Sequence, residues 1–152
     1  MKKITTTDLT TLGRQAQQSP RLRANSNLHQ ELSDPIQRLA IAMEPDTLIL
    51  PHRHPHTWEV LTALRGRFIV LVFDDAGKVT ERAELGADAS VLEIPQGGWH
   101  AVLSRDVGGV IFEVKHGPYA PIIEADIAAW SKGRTTAELN AWYAVAKIGD
   151  TL

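Results

Sequence analysis

Pro51-His52-Arg53-His54, then Glu59 and Gly66, then Pro95-Gln96-Gly97-Gly98-Trp99-His100, is the part of the chain on which its reading turns. Two histidines at i and i+2 on an extended segment point to one face, and Pro51 and Pro55 favour an extended backbone here. Glu59 lies an odd number of residues past His54, so Pro55-His56-Thr57 must turn a corner to bring it back on the next strand. Gly97-Gly98 permits a close turn before His100. Three histidines and a carboxylate so spaced suit one divalent metal. Imidazole with carboxylate favours Fe, Mn, Ni, Zn or Cu over Ca or Mg. The chain has no cysteine, which removes thiolate sites.

Outward from these motifs, the chain from Ile36 to Lys115 alternates short apolar runs with turn signals. The runs are Gln37 to Met43, Thr47 to Leu50, Trp58 to Leu64, Arg67 to Phe73, Val79 to Leu85, Val91 to Ile94, His100 to Leu103 and Val110 to Lys115. Arg65-Gly66 reads as a tight hairpin turn and Asp75-Ala76-Gly77-Lys78 as another. Short strands at this spacing predict an all-β sandwich or barrel rather than βαβ units. Phe68-Ile69-Val70-Leu71-Val72 is apolar on both faces, whereas a strand with one wet face alternates. Its outer face needs a cover from the N-terminal arm, the C-terminal helix or a second subunit. Before this region lies a weakly helical arm, and after Pro121 the pattern turns helical. There Thr136 is a candidate cap for a helix over Ala137 to Lys147 with Leu139, Trp142, Tyr143 and Ala146 on one face.

His52-x-His54-x4-Glu59-x6-Gly66 resembles the first motif of the cupin superfamily, and Pro95-x-Gly97-x2-His100 resembles the second. Ser19-Pro20-Arg21-Leu22-Arg23-Ala24-Asn25 through His29, Asp34 to Arg38, and Phe112 to Tyr119 look like the WbuC-type cupin-fold metalloproteins. The resemblance runs from about Ser19 to Trp130. It implies a cupin double-stranded β-helix, a jelly-roll barrel, with His52, His54, Glu59 and His100 as ligands of a divalent transition metal (Fe, Mn, Ni or Zn). It also implies an association with surface-polysaccharide metabolism and, since cupins are frequently dimers, a homodimer. The motifs depart from the family at Asp46 and Ala89, where glycine is usual, and at Ser104, where asparagine closes the second motif. These changes bear on turns rather than ligands. The expected organisation is an N-terminal arm over 1–35 packing on the barrel, the barrel over 36–120, and a C-terminal helical extension over 121–152.

Other side chains are candidates for work beside the metal. His56 repeats the i, i+2 spacing with His54 and is a competing ligand, a catalytic candidate or a loop residue. Glu113 is a candidate general base if its face, shared with Ile111 and Lys115, is the cavity face. Arginine forks suit carboxylate or phosphate, and asparagine suits sugar hydroxyls. Arg38, His29, Arg23 and Asn27 are therefore expected to bind a small anionic or sugar-like ligand, with a solvated, salt-bridged arm as the plainer alternative, and the family resemblance implies a place in the same site for Lys115 and Tyr119 at the end of the last strand. Trp99 should point away from the metal.

Length and composition bound the rest. At 152 residues and 43% hydrophobic, the chain fits one domain with its own core. A formal net charge of -2 without basic excess argues against nucleic acid. The start, Met1-Lys2-Lys3, is followed by Thr5-Thr6-Thr7-Asp8 rather than an apolar stretch, and no run reaches membrane-spanning length, so a cytoplasmic protein is expected. The functional expectation is a metal-dependent enzyme, isomerase- or epimerase-like, on a small polar sugar-related or anionic substrate. The alternatives are a non-catalytic metal-dependent binding or sensing module, an iron-dependent dioxygenase, and a purely structural metal site.

Overall fold

The computed structural model describes residues 1–152. Helix α1 (Thr6–Gln18) starts at a capping box, in which the Thr5 side chain accepts from Asp8 N while the Asp8 carboxylate accepts from Thr5 N. Eight strands follow: β1 (Arg23–Asn27), β2 (Ile36–Met43), β3 (Glu59–Arg65), β4 (Phe68–Phe73), β5 (Val79–Leu85), β6 (Val91–Ile94), β7 (Trp99–Ser104) and β8 (Gly109–His116). Single helical turns at Glu124–Asp126 and Ala129–Ser131 lead to α2 (Thr136–Val145). The strands form two antiparallel sheets, of order β1-β2-β8-β3-β6 and β5-β4-β7. This is a jelly-roll barrel of the cupin type.

Three apolar clusters hold it together. Between the sheets, Met43, Ile49, Leu61, Phe68, Val70, Leu85, Ile94, Val102 and Ile111 form the interior. Outside the three-stranded sheet, Ile69, Leu71 and Phe73 of β4 pack with Leu139 and Tyr143 of α2. Outside the five-stranded sheet, Ala40, Ala42 and Val110 pack with Leu12 and Ala16 of α1. The cover that the two-faced apolar β4 requires is therefore the chain's own C-terminal helix. That finding takes away the structural reason for a second subunit at this face.

Several local expectations change. Arg65-Gly66 is not a hairpin turn: β3 pairs with β6 and β8, while β4 pairs with β5 and β7, so this corner carries the chain from one sheet to the other. Gly66 has φ 73, and a Cβ there would lie 3.2 Å from Gly109 Cα. Thr47 to Leu50 forms no strand. Two of its carbonyls go to the C-terminal helix instead: Asn140 Nδ2 donates to Thr47 O at 3.2 Å and Tyr143 Oη to Ile49 O at 3.1 Å. The cap of α2 is Thr135, not Thr136, in a capping box with Glu138. Strand β1 lies within the stretch read as an arm. The β4–β5 turn is a hairpin as expected, with Asp74 Oδ1 accepting from Ala76 N and Lys78 N.

Candidate metal centre

Each member of the histidine cluster is fixed by backbone. His52 lies in the chain between β2 and β3, where its N–H donates to His100 O at 3.0 Å and its carbonyl accepts from His100 N at 2.9 Å. That single antiparallel bridge ties the first motif to β7. A turn then forms at Pro55-His56, where His54 O accepts from Gly97 N at 3.0 Å. Glu59 opens β3 and faces the interior, directly opposite Lys115 of β8. The side chains of His54, Glu59 and His100 are all buried.

The rings converge. Ring centroids are 4.3 Å apart for His52 and His100, 5.1 Å for His52 and His54, and 5.7 Å for His54 and His100. One ligand atom from each of His52, His54 and His100 lies within 4.8 Å of the others, so the three histidines can hold a metal. The outer nitrogens are anchored: His52 Nδ1 is 2.8 Å from Leu50 O and His100 Nδ1 is 3.0 Å from Gly98 O. A carbonyl only accepts, so Nδ1 carries the proton and Nε2 keeps its lone pair, as in carbonyl-braced metal histidines. Burial, and then the neighbouring His100, lower the His52 pKa to about 3, so its ring is neutral near pH 7, as a ligand must be.

Glu59 sits among these rings, with Oε1 3.0 Å from His54 Nε2 and Oε2 3.0 Å from His100 Nε2. Burial opposes its ionisation. The contacts with the His100 and His54 rings and the charge of Lys115 outweigh that, and the carboxyl stays well below its usual range. His100 thus has an acceptor at each ring nitrogen, and a neutral imidazole can donate to only one. A cation between Nε2 and Glu59 would remove the conflict, so the donor set fits a divalent metal.

The site opens into a cavity of about 420 Å³ walled by Leu39, Ile41, Leu61 and Ile111 and by Glu113 and Lys115. Lys115 Nζ lies 2.9 Å from both Glu59 Oε1 and Glu113 Oε1. Burial works against the ammonium, but Glu113 and Glu59 raise its pKa above the usual lysine range. Burial, and then the charge of Glu59, push the Glu113 carboxyl up. A strap after β8, including Tyr119 and Ile122, closes one side of the cavity. It is tied back to the motif by Arg53, whose N–H donates to Asp126 O at 3.0 Å and whose Nε donates to Asp126 Oδ1 at 3.1 Å.

His52, His54, Glu59 and His100 thus come together, with Glu113 and Lys115 in the cavity wall. Arg23 and Tyr119 stand where this cavity joins a second one, which Asn27 and His29 also line. His56 is exposed, its ring 6.3 Å from that of His54, and it is outside the cluster. Arg38 lines neither cavity and pairs with Asp34 at 3.3 Å. The reason is strand parity: Gln37, Leu39 and Ile41 of β2 face the cavities, so Arg38 faces away. Trp99 likewise points outward, stacked under the Arg53 guanidinium at 4.5 Å. The apolar wall was findable from the same parity. The strap and its Arg53–Asp126 tie carry no sequence signal, because they join residues far apart in the chain.

Fold and site together define a β-barrel of cupin type with a three-histidine group able to bind metal. Over residues 4–85, more than half its length, the chain matches the family described as a domain of unknown function (DUF6016), and it belongs to that family. No curated protein is similar to it in sequence. Among solved structures, KdgF from Halomonas sp. is 13% identical over 67% of this chain and 83% of that chain, with TM-score 0.51. An oxalate oxidase in complex with the substrate analogue glycolate is 17% identical over 84% and 68%, with TM-score 0.54. The capsular polysaccharide assembling protein CapF from Staphylococcus aureus is 14% identical, with TM-score 0.55; the match covers 68% of this chain and 28% of CapF. At these identities the likeness is one of fold.

Proposed function

We propose that this chain is a metal-dependent cupin of the WbuC type whose barrel cavity takes a small polar, sugar-related or anionic ligand for isomerase- or epimerase-like chemistry. The observation that carries the reading is the convergence of His52, His54 and His100 at the wall of a ligand-sized cavity. Glu59 completes the proposed ligand set, since its two oxygens already face His54 and His100. Such a metal would supply Lewis-acid polarisation of a carbonyl or hydroxyl oxygen. Leu39, Ile41 and Ile111 keep that side of the cavity dry, Lys115 holds Glu59 and Glu113 in place, and Glu113 is the carboxyl positioned to move a proton. The surface-polysaccharide context is supported by the flanking sequence blocks and by the fold shared with CapF. Residues 1–35 and 121–152 are read with the barrel as one functional unit, since each packs a helix on its wall.

A non-catalytic binding or sensing role uses the same site and is favoured by one observation: Glu113 is engaged by Lys115 at 2.9 Å. Elemental analysis of protein purified without a metal-affinity tag, repeated on His100→Ala, tests the common core of both readings. Near-stoichiometric Fe, Mn, Ni or Zn is expected in the wild type and its loss in the variant. Full metal content in His100→Ala would remove the proposed ligand set. Product formation from sugar or nucleotide-sugar substrates then separates the enzyme from the binding module.

A further inference from the structure

The cavity beside the histidines continues into a second one of about 390 Å³ under β1 and β2. Arg23, Leu39, Ile41, Glu113, Lys115 and Tyr119 line both, so the two are one continuous space. Along this space three donors have no acceptor within the chain. Arg21 and Arg23 line the second cavity, and neither pairs with a carboxylate. They flank Leu22, which is held at φ 53 while its carbonyl accepts from Glu44 N and, at 2.7 Å, from Thr47 Oγ1. Lost hydration and the charge of Arg21 both lower the Arg23 pKa, conditions that a bound anion relieves.

The third donor is His29, which is 4% exposed. Its Nδ1 lies 2.9 Å from Arg38 N and 3.0 Å from Arg38 O, and the backbone N–H, which can only donate, donates to it. Nδ1 is therefore the acceptor, and the ring proton sits on Nε2. That Nε2 is buried without a hydrogen-bond partner in a residue that lines the cavity. Buried polar groups are nearly always paired, and an unpaired donor in a cavity that two guanidiniums free of carboxylates also line suits an acceptor that carries negative charge.

We propose that Arg21, Arg23 and the His29 Nε2–H form an oxyanion subsite for the terminal phosphate or carboxylate of a ligand whose other end reaches the histidine cluster. The second half of that statement rests on the proposed metal-centre reading; the subsite itself does not. The ligand is accordingly two-ended, with an oxygen-bearing head at His52, His54 and His100 and an anionic tail under β1. Neutral sugars lack the tail and are discriminated against.

Isothermal titration calorimetry with inorganic phosphate, glucose 1-phosphate, glucuronate and glucose tests this on the metal-containing protein and on His100→Ala. Saturable binding of phosphate or of glucuronate is expected, with glucose at least about tenfold weaker than the anionic sugars; whichever anion binds more tightly identifies the tail. Arg23→Gln and His29→Asn should each weaken anion binding about tenfold at unchanged metal content and melting temperature. His29→Asn keeps an oxygen for the Arg38 N–H and removes the Nε2 donor, so a folding defect is not built into the test. A shift of the His29 Nε2 resonance in ¹⁵N NMR on adding phosphate gives an independent reading. Inorganic phosphate should still bind His100→Ala. Binding lost in His100→Ala yet unchanged in Arg23→Gln would put the anion on the metal, overturning the subsite and leaving the metal centre standing. Arg23-dependent binding in a protein that never takes up metal would do the reverse. Absence of saturable binding for all three anions overturns the subsite.

Discussion

At the β3–β6 end of the five-stranded sheet, Leu61, Ile94 and Ile111 meet Phe68, Val70 and Val102 of the opposite sheet. At the β1–β2 end the same sheet presents Arg23, Asn25, Asn27 and Gln37 to a cavity. The reason is strand number. Three strands cannot cover five, so the face divides into a closed half and an open half. At the open end the outer face is packed on α1 through Ala40, Ala42 and Val110. Closure supplies the apolar burial that stabilises the barrel, whereas the open half is free to carry charged and amide side chains at little cost. The histidine cluster and the Glu59–Lys115–Glu113 chain stand between the two.

Substitutions should respect that division. Phe68 is fully buried in the closed half, and Phe68→Ala is expected to cost about 3–5 kcal/mol in a denaturant melt. A loss below about 1 kcal/mol would mean that the sheet-to-sheet core is not what holds the barrel. Acid should act at the boundary. The folded His52 has its pKa lowered from 6.5 to about 3, so the unfolded chain takes up a proton that the folded one refuses. Stability of the metal-free protein is then complete above pH 6.5 and falls as pH drops toward 3, on the order of 3 kcal/mol from this group by pH 4.5. Melting temperatures at pH 7, 5.5 and 4.5 measure it, and a flat profile would contradict the loss of hydration at the His52 ring.

Smaller effects sharpen the contrast. Thr135→Ala removes the α2 cap and is expected to cost about 1 kcal/mol, because α2 covers β4 from outside the barrel. Asn25→Ala in the open half should change stability by less than about 0.5 kcal/mol. A larger loss on equilibrium unfolding would show that β1 is held by its side chains rather than by its backbone pairing with β2.

Much of this was legible before any coordinates. The alternation from Ile36 onward marks most of the strands, and β5 and β6 have the bounds that their apolar runs suggest. The two-faced apolar β4 announced an outer cover, and Leu139 and Tyr143 of the helix supply it. Strand β1 was not legible, because Arg23-Ala24-Asn25-Ser26-Asn27 has neither β-branched residues nor apolar alternation. It is a strand because its backbone pairs with β2 from Arg23↔Met43 to Asn27↔Leu39. The facing of Arg38 was not legible for a related reason: residue type suggested a ligand contact, and only its place on β2 shows that it lines neither cavity.

Sequence alone determined the kinds of donor this protein brings to a metal and the proline and glycine turns that space them, since residue chemistry and backbone restriction are local properties. It also determined an all-β core, through the period of its apolar residues. Tertiary structure decided that His52 meets His100, that Lys115 stands between Glu59 and Glu113, and that α2 rather than a partner covers β4. It also decided that the His29 Nε2–H is left facing a cavity. Those outcomes depend on which strands pair and in what register, contacts between residues far apart in the chain that no local pattern encodes.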